Sequence, residues 1–261
     1  MKVLLIGESC EDVYFFGECT RLSPEAPVPV LDYFCKKKFL GMSENVLRNL
    51  KSFNFNLDFI SNNPSLLVKE RYIDKKSKKQ LLRVDKGFSV KPLSLNANVL
   101  KKIKTADLIV ISDYNKGFLT QEICKKINKK RKGFMFVDSK KPDLSCFENC
   151  FIKINNLEFS VKPKLPKRCD MIITQGSKGA LYKNKKYKAP KVNVHDVSGA
   201  GDVFLSVLSG VFIKTKNIKK SIRAAVELSS KSVSYFGNYQ ISKKDISQYI
   251  SWLKNILILD K

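Results

Sequence analysis

The sequence predicts an α/β protein built on a mainly parallel, buried sheet. Three observations carry that reading. Val3-Leu4-Leu5-Ile6 and Ala106 to Ile111 are short apolar runs without polar alternation, as expected of strands covered on both faces. These runs end in glycine or polar clusters, and helical patterns lie between them. Late in the chain a turn of small residues, Ser198-Gly199-Ala200-Gly201, opens an apolar run from Val203 to Phe212 that leaves no polar face, the mark of a buried helix.

In chain order, Val3 to Ile6 predicts a central strand ending at Gly7, with a ligand-facing loop over Glu8 to Asp12. Pro24, Pro27 and Pro29 forbid helix and favour extended edge chain or a flap. A helix follows over Val46 to Leu50, then a strand over Leu57 to Ile60. Lys69 to Tyr72 and Gln80 to Asp85 read as strands joined by a turn at Lys75 to Lys79. Leu93 to Lys102 reads as a helix, and Ala106 to Ile111 as a strand ending in Ser112-Asp113-Tyr114-Asn115-Lys116-Gly117. Gln121 to Lys132 is a basic helix with an apolar stripe of Ile123, Cys124 and Ile127. Strands over Phe134 to Val137, Phe151 to Ile154 and Met171 to Thr174 follow, the last leading into a strand–turn–strand. Beyond the buried helix, Ile218 to Tyr235 forms another helix with a stop at Gly237-Asn238. Ser242 to Asp245 caps a last amphipathic helix reaching about Leu259. No internal repeat or low-complexity linker divides the chain, so residues 1–261 read as one domain.

Composition narrows the function. Hydrophobic residues make up 43% of 261, enough for a sizeable core and too many for disorder. No apolar run reaches membrane-spanning length, and the first residues are too short a run for a signal peptide, which predicts a soluble protein. Seven scattered cysteines without a C-x-x-C pair, and a single histidine, argue against zinc and for free thiols in a reducing cytoplasm. The net charge of +25 is spread in small lysine clusters with no long basic tail. That pattern favours a solvated surface over a nucleic-acid groove, and a positive field also suits phosphorylated substrates.

The chemistry concentrates at Asp196-Val197-Ser198-Gly199-Ala200-Gly201-Asp202. Unpaired amides at the start of the following helix attract anions, phosphate above all. Asp202, in the first turn, is placed to take a proton from a hydroxyl that attacks a phosphoryl group. No G-x-x-x-x-G-K-[ST] loop occurs anywhere. A tight turn before a buried helix is the plain alternative for the glycines alone. The complete D-x-x-G-A-G-D closely resembles the C-terminal motif of the ribokinase-like (PfkB) carbohydrate kinases.

Other stretches extend the resemblance from Lys2 to about Asp245. Residues 7–30, with R-L-S-P-E-A-P-V-P-V, are similar to the opening of the branch that contains the heptose 7-phosphate kinases. Gly41-Met42-Ser43-Glu44-Asn45 resembles a G-G-x-x-N segment in which Met42 replaces a glycine and Glu44 a small residue. A side chain at Met42 is expected to block or reshape the sugar pocket. The S-D-Y-x-K-G at 112–117, N-x-x-E at 155–158 and T-x-G-x-x-G-A at 174–180 also match. Relatives carry an extra helix and strand where Ser61-Asn62-Asn63-Pro64 runs on to Leu66, so the middle is shortened.

The resemblance implies a ribokinase-like three-layer sandwich with a small β lid over about 17–39 and 70–85. It implies an ATP- and magnesium-dependent kinase for a sugar or sugar phosphate, nearest a heptose 7-phosphate at the anomeric position. Asp202 would be the base, with Gly199, Ala200 and Gly201 as anion hole. Asp12, Gly41, Asn45, Lys69, Arg71, Arg83, Asp113 and Lys116 would meet the acceptor. Either arginine reads equally well as edge-strand charge. Asn155, Thr174, Gly176, Gly179, Ser198 and Val226 would line the nucleotide site, and Glu158 with Asn155 would support magnesium through water. A homodimer through the lid is a further implication. Another sugar or nucleoside kinase on the same scaffold, or a non-catalytic binding relative, remains open. His195 reads as structural.

Overall fold

The computed structural model describes residues 1–161, 164–235 and 239–249. An eight-stranded sheet forms the body. Near one edge lies β1 (Lys2–Gly7), flanked by the edge strand β4 (Asn56–Ile60) on one side and β7 (Leu108–Asp113) on the other, all parallel. Beyond β7 come β8 (Phe134–Ser139), β9 (Phe151–Asn155) and β10 (Asp170–Thr174), also parallel. The antiparallel β11 (Ala180–Tyr182) and β12 (Lys185–Tyr187) complete the opposite edge.

The apolar runs form strands because both faces are covered. Val3 and Leu5 of β1 join one core cluster, while Leu4 and Ile6 join the other. The first cluster is closed by α1 (Ser43–Lys51), α5 (Ala200–Thr215) and α6 (Ile218–Ser232). The second is closed by α2 (Ala97–Thr105) and α3 (Gln121–Lys130), with Ile123, Cys124 and Ile127 turned inward as expected. The result is the three-layer sandwich.

A second, four-stranded sheet stands off the body. It runs β3 (Pro29–Met42), β2 (Ser9–Leu22), β5 (Val68–Asp74), β6 (Lys79–Lys86). The lid is therefore larger than 17–39 and 70–85. The loop expected over Glu8 to Asp12 is mostly strand, because Asp12 pairs with Phe39 on one side and Lys69 on the other. Only Glu8 separates β1 from β2. Between β4 and β5 the chain makes a single 3-10 turn, Pro64–Leu66, capped by the Asn63 side chain.

Four helices differ in their bounds from expectation: α1 begins at Ser43 rather than Val46 and α3 ends at Lys130 rather than Lys132. α2 begins at Ala97 rather than Leu93, because the Asn96 side chain accepts from the Val99 amide as an N-cap. Residues ahead of it run extended, with the Leu93 amide on the Phe118 carbonyl. α6 ends at Ser232 rather than Tyr235, because the Val233 carbonyl accepts from the amides of His195 and Asp196 instead. A further helix covers 243–249; the expected stop at Gly237-Asn238 and the reach to Leu259 lie outside the described residues.

Candidate active site

α5 starts where the small-residue turn ends. Gly199 takes φ 75°, a left-handed conformation that suits glycine, and its carbonyl accepts the first helical bond, from the Val203 amide. The Gly201 and Asp202 amides precede that bond and point along the helix axis away from the core. Residues 202–213 are all buried, so the helix start is held rigidly.

Ala200 and Gly201 line a cavity of about 400 Å³ together with Thr174, Gly176, Gly179, Phe204, Val226 and Ser229. Four of the six residues expected around the nucleotide, and two of the three expected in the anion hole, thus meet in one space. Their parts differ. Gly176 has φ 57° and open space where a side chain would go, so it needs glycine for backbone conformation. Gly179 has φ 92°, and a side chain on it would begin 1.9 Å from the Tyr187 carbonyl oxygen, so there glycine serves close strand packing as well as backbone conformation. Ser198 sits in the turn, its amide donating to Asp196 Oδ1 at 2.8 Å.

Asp202 lies on the other flank of the helix start, 6% exposed. Tyr114 Oη donates to its Oδ1 at 2.8 Å, and Asn45 Nδ2 donates to its Oδ2 at 3.1 Å. Arg48 in turn donates to Asn45 Oδ1, which fixes the amide. Burial raises the Asp202 pKa, while the Tyr114 and Asn45 hydrogen bonds pull it back. Tyr114 connects Asp202 to the lid: the Lys69 ammonium lies 5.4 Å from its ring centroid.

The lid adds a second carboxylate. Asp12 Oδ1 accepts from Arg71 Nη1 at 2.5 Å, and both side chains are mostly buried. Gly41 is required beside it, since a side chain there would begin 2.1 Å from Asp12 Oδ2. Cys10, wholly buried, feels the charges of Lys69, Asp12, Arg71 and Asp202, and burial foremost pushes its thiol up to about 12. These four expected residues therefore surround one spot.

Other expected contacts are placed differently. Met42 has φ 58°, the glycine-like backbone, yet its side chain packs into the second core cluster. Asp113 is 1% exposed and turned inward, accepting from Ser139 Oγ at 2.6 Å and pairing with Lys141 at 3.0 Å, so it braces the loop. Arg83 is tied to its neighbour Asp85 through two bonds, at 2.6 and 2.5 Å. The Lys116 amide is held by Glu8 Oε1 at 3.1 Å.

A chain of alternating charges runs beneath the cradle. Lys153 Nζ pairs with Asp138 Oδ2 at 2.6 Å; Lys140 bridges Asp138 at 3.1 Å and Glu158 at 2.5 Å. A side chain on Gly201 would begin 3.0 Å from Lys153 Nζ, so this ammonium lies against the first turn of α5. Burial works against charge on Asp138, but Lys153 and Lys140 hold its pKa below the usual carboxylate range. Lys153 was not picked out from sequence. The signal was present: a lysine inside the apolar strand Phe151-Ile152-Lys153-Ile154 is a buried charge that needs a reason.

Asn155 caps the short helix Asn156–Ser160 in a reciprocal capping box with Glu158. Among the described residues no cluster of three acidic, histidine or cysteine side chains could hold a metal unaided. Both Glu158 oxygens already meet a donor, Lys140 or the Asn155 amide. This oxygen set fits a hydrated cation that arrives with phosphates, reached through water.

A mainly parallel α/β sandwich with a β lid, a glycine turn at a buried helix start and a carboxylate beside it defines a ribokinase-like fold. Residues 161–245 match the pfkB family of carbohydrate kinases. It is 30% identical to the bifunctional protein HldE of a Nitratiruptor species, over 95% of this chain. The chain spans 64% of the length of that relative. Among solved structures it is similar to ribokinase from Thermotoga maritima, with TM-score 0.72 at 13% identity over 95% of this chain and 99% of that one. It is equally similar to Arabidopsis thaliana ribokinase complexed with ribose and ATP, TM-score 0.72, 12% identity, covering 95% and 98%. The last two likenesses establish the fold.

Proposed function

We propose that this protein is an ATP-dependent sugar kinase acting on a sugar phosphate, nearest a heptose 7-phosphate at its anomeric hydroxyl. One observation carries the reading: Asp202 sits between the nucleotide-sized cavity at the cradle and the cluster of Asp12, Arg71 and Lys69 on the lid.

In this reading the acceptor enters under the lid. Asp12 takes hydrogen bonds from its hydroxyls, and Arg71 or Lys69 meets its phosphate. Asp202 removes the proton of the attacking hydroxyl. That oxygen forms its bond to the γ-phosphorus as the bond to the β-phosphate oxygen breaks, and ADP leaves. The Gly201 and Asp202 amides, the α5 dipole and the Lys153 ammonium stabilise the transferring charge. Magnesium bound to the nucleotide would neutralise phosphate charge, with Glu158 and Asn155 holding its water shell.

Two finer readings go with it. The seven free cysteines fit a reducing cytoplasm, and among the described residues no helix is long and apolar enough to cross a membrane. The lid exposes Tyr33, Phe34 and Leu82, which supports a homodimer formed through that sheet. Another sugar or nucleoside as acceptor remains the second reading, favoured by the single turn that stands between β4 and β5.

The test is an ADP-release screen over sugars, sugar phosphates and nucleosides with magnesium and ATP, wild type beside Asp202→Asn. The expected result is turnover with a sugar phosphate and a loss of at least about a hundredfold in the variant, the usual scale for a general base. Equal turnover in the two proteins would remove Asp202 from the mechanism.

A further inference from the structure

The base is capped. Both Asp202 oxygens meet a donor from a different element: Asn45 from α1 and Tyr114 from the loop after β7. The two donors are not equivalent. Asn45 is locked from behind by Arg48 and is itself buried. Tyr114 stands on the acceptor flank, with the Lys69 ammonium from the lid strand β5 against its ring. Its backbone is pinned, since the Tyr114 amide donates to buried Glu8 Oε2 at 2.7 Å. The ring can therefore turn about its side-chain torsions while the loop stays put.

We infer that the Tyr114 hydroxyl is a place-holder for the acceptor hydroxyl: it occupies Oδ1 of Asp202 in the free protein and is displaced when acceptor binds. The inference rests on the kinase reading of Asp202. One hydrogen bond is exchanged for another, so displacement costs little, and until then the base is shielded from water. No proton is transferred to or from Tyr114. Its hydroxyl is a poor acid here, because burial and then the Asp202 charge raise its pKa well above the ordinary tyrosine value.

The sign of the effect on Asp202 follows. A hydrogen bond donated to the carboxylate favours the charged form, so loss of the Tyr114 donor raises the Asp202 pKa. Every element facing the carboxylate contributes: Asn45 from α1, Asp138 from β8, Lys153 from β9 and the Cys10 thiol from β2. Tyr114→Phe leaves all of these in place, removing only the hydroxyl that donates to Asp202 and keeping the ring.

The pH profiles of wild type and Tyr114→Phe decide the matter, because kcat/KM reports the free enzyme and kcat the substrate complex. The expected result is an acidic limb of kcat/KM moved to higher pH in the variant, with the limb of kcat in place. Movement of both limbs would mean that Tyr114 stays on the base throughout and would overturn displacement. Movement of neither would make the contact merely structural. A carboxyl carbon-13 NMR titration of the free protein, with the Asp202 resonance identified from Asp202→Asn, gives a readout independent of turnover. A higher Asp202 pKa in Tyr114→Phe is expected, and an unchanged one overturns the inference. Absence of turnover in the wild type with all acceptors, beside a shifted resonance, would count against the kinase reading and not against the cap.

Discussion

Glu8 is the residue on which both halves of the site lean. It is fully buried between β1 and β2, and its two oxygens take the amides of Tyr114 and Lys116. Burial, and then the facing Asp113 carboxylate, push its pKa from 4.5 up to about 7, with the Lys141 ammonium and the two amides opposing. The folded state therefore holds this proton more tightly than the unfolded chain. Its contribution to stability is complete below pH 4.5 and is lost as pH rises to about 7. A rise of that size corresponds to roughly 3 kcal/mol. Glu8→Gln cannot ionise, so urea unfolding at a series of pH values should show a flatter stability curve between pH 5 and 8. The variant should also be less stable at pH 5, since a carboxamide leaves one amide poorly paired. A slope equal to that of wild type would refute the assignment. At this scale the sequence was read unevenly. Asp202, Asp12 and Asn45 could be singled out because their residue types fit the proposed chemistry at motif spacing. Tyr114 was passed over between Asp113 and Lys116, although it is the one of the three that touches the base. Motif spacing cannot show which side chain of a strand end turns inward, and Asp113 turned inward because Lys141 neutralises it there.

Among the elements, β1 sets the geometry, since the lid starts one residue after it ends. Gly7 closes β1 against β7 so tightly that a side chain would begin 2.1 Å from the Ser112 carbonyl oxygen, a backbone atom. Gly7→Ala must therefore push two neighbouring buried strands apart. A cost of about 1–3 kcal/mol is expected, the usual range for overpacking, as a lower urea midpoint with an unchanged slope. Gly176→Ala is the contrast: it meets no neighbour, so any loss there comes from backbone strain alone. An unaltered midpoint in Gly7→Ala would show that the strands can part freely. The buried strands were readable because unbroken apolar runs have one physical cause, coverage on both faces. The lid was underread at its ends because residues such as Ser9 to Asp12 pair in a sheet with no apolar alternation to announce it. The start of α2 was misplaced because Leu93 and Val99 mimic a helical stripe, while the deciding bond is local, from Val99 to the Asn96 side chain.

For the whole molecule the governing quantity is the net charge of +25. Like charges repel, so the compact state is strained by its own field, while the same field draws in anionic substrates. Salt acts on both and with opposite consequences. The screening length falls from about 30 Å at 0.01 M to about 8 Å at 0.15 M ionic strength. Surface lysines that pair with an acid, such as Lys38 with Glu11 and Lys86 with Glu70, lose a little attraction on that step. Such exposed pairs are worth at most about 1 kcal/mol each, and the 49 basic residues outnumber the 24 acidic ones twofold, so relief of repulsion wins. The melting temperature should rise by a few degrees between those two salt concentrations. Over the same step kcat/KM for a sugar phosphate should fall severalfold while kcat holds, because steering governs encounter and not the bound complex. An uncharged sugar tested alongside should show a smaller fall, since only ATP is then steered. If kcat/KM with the sugar phosphate were independent of salt, the lysines would be solvated surface and no part of how the substrates arrive.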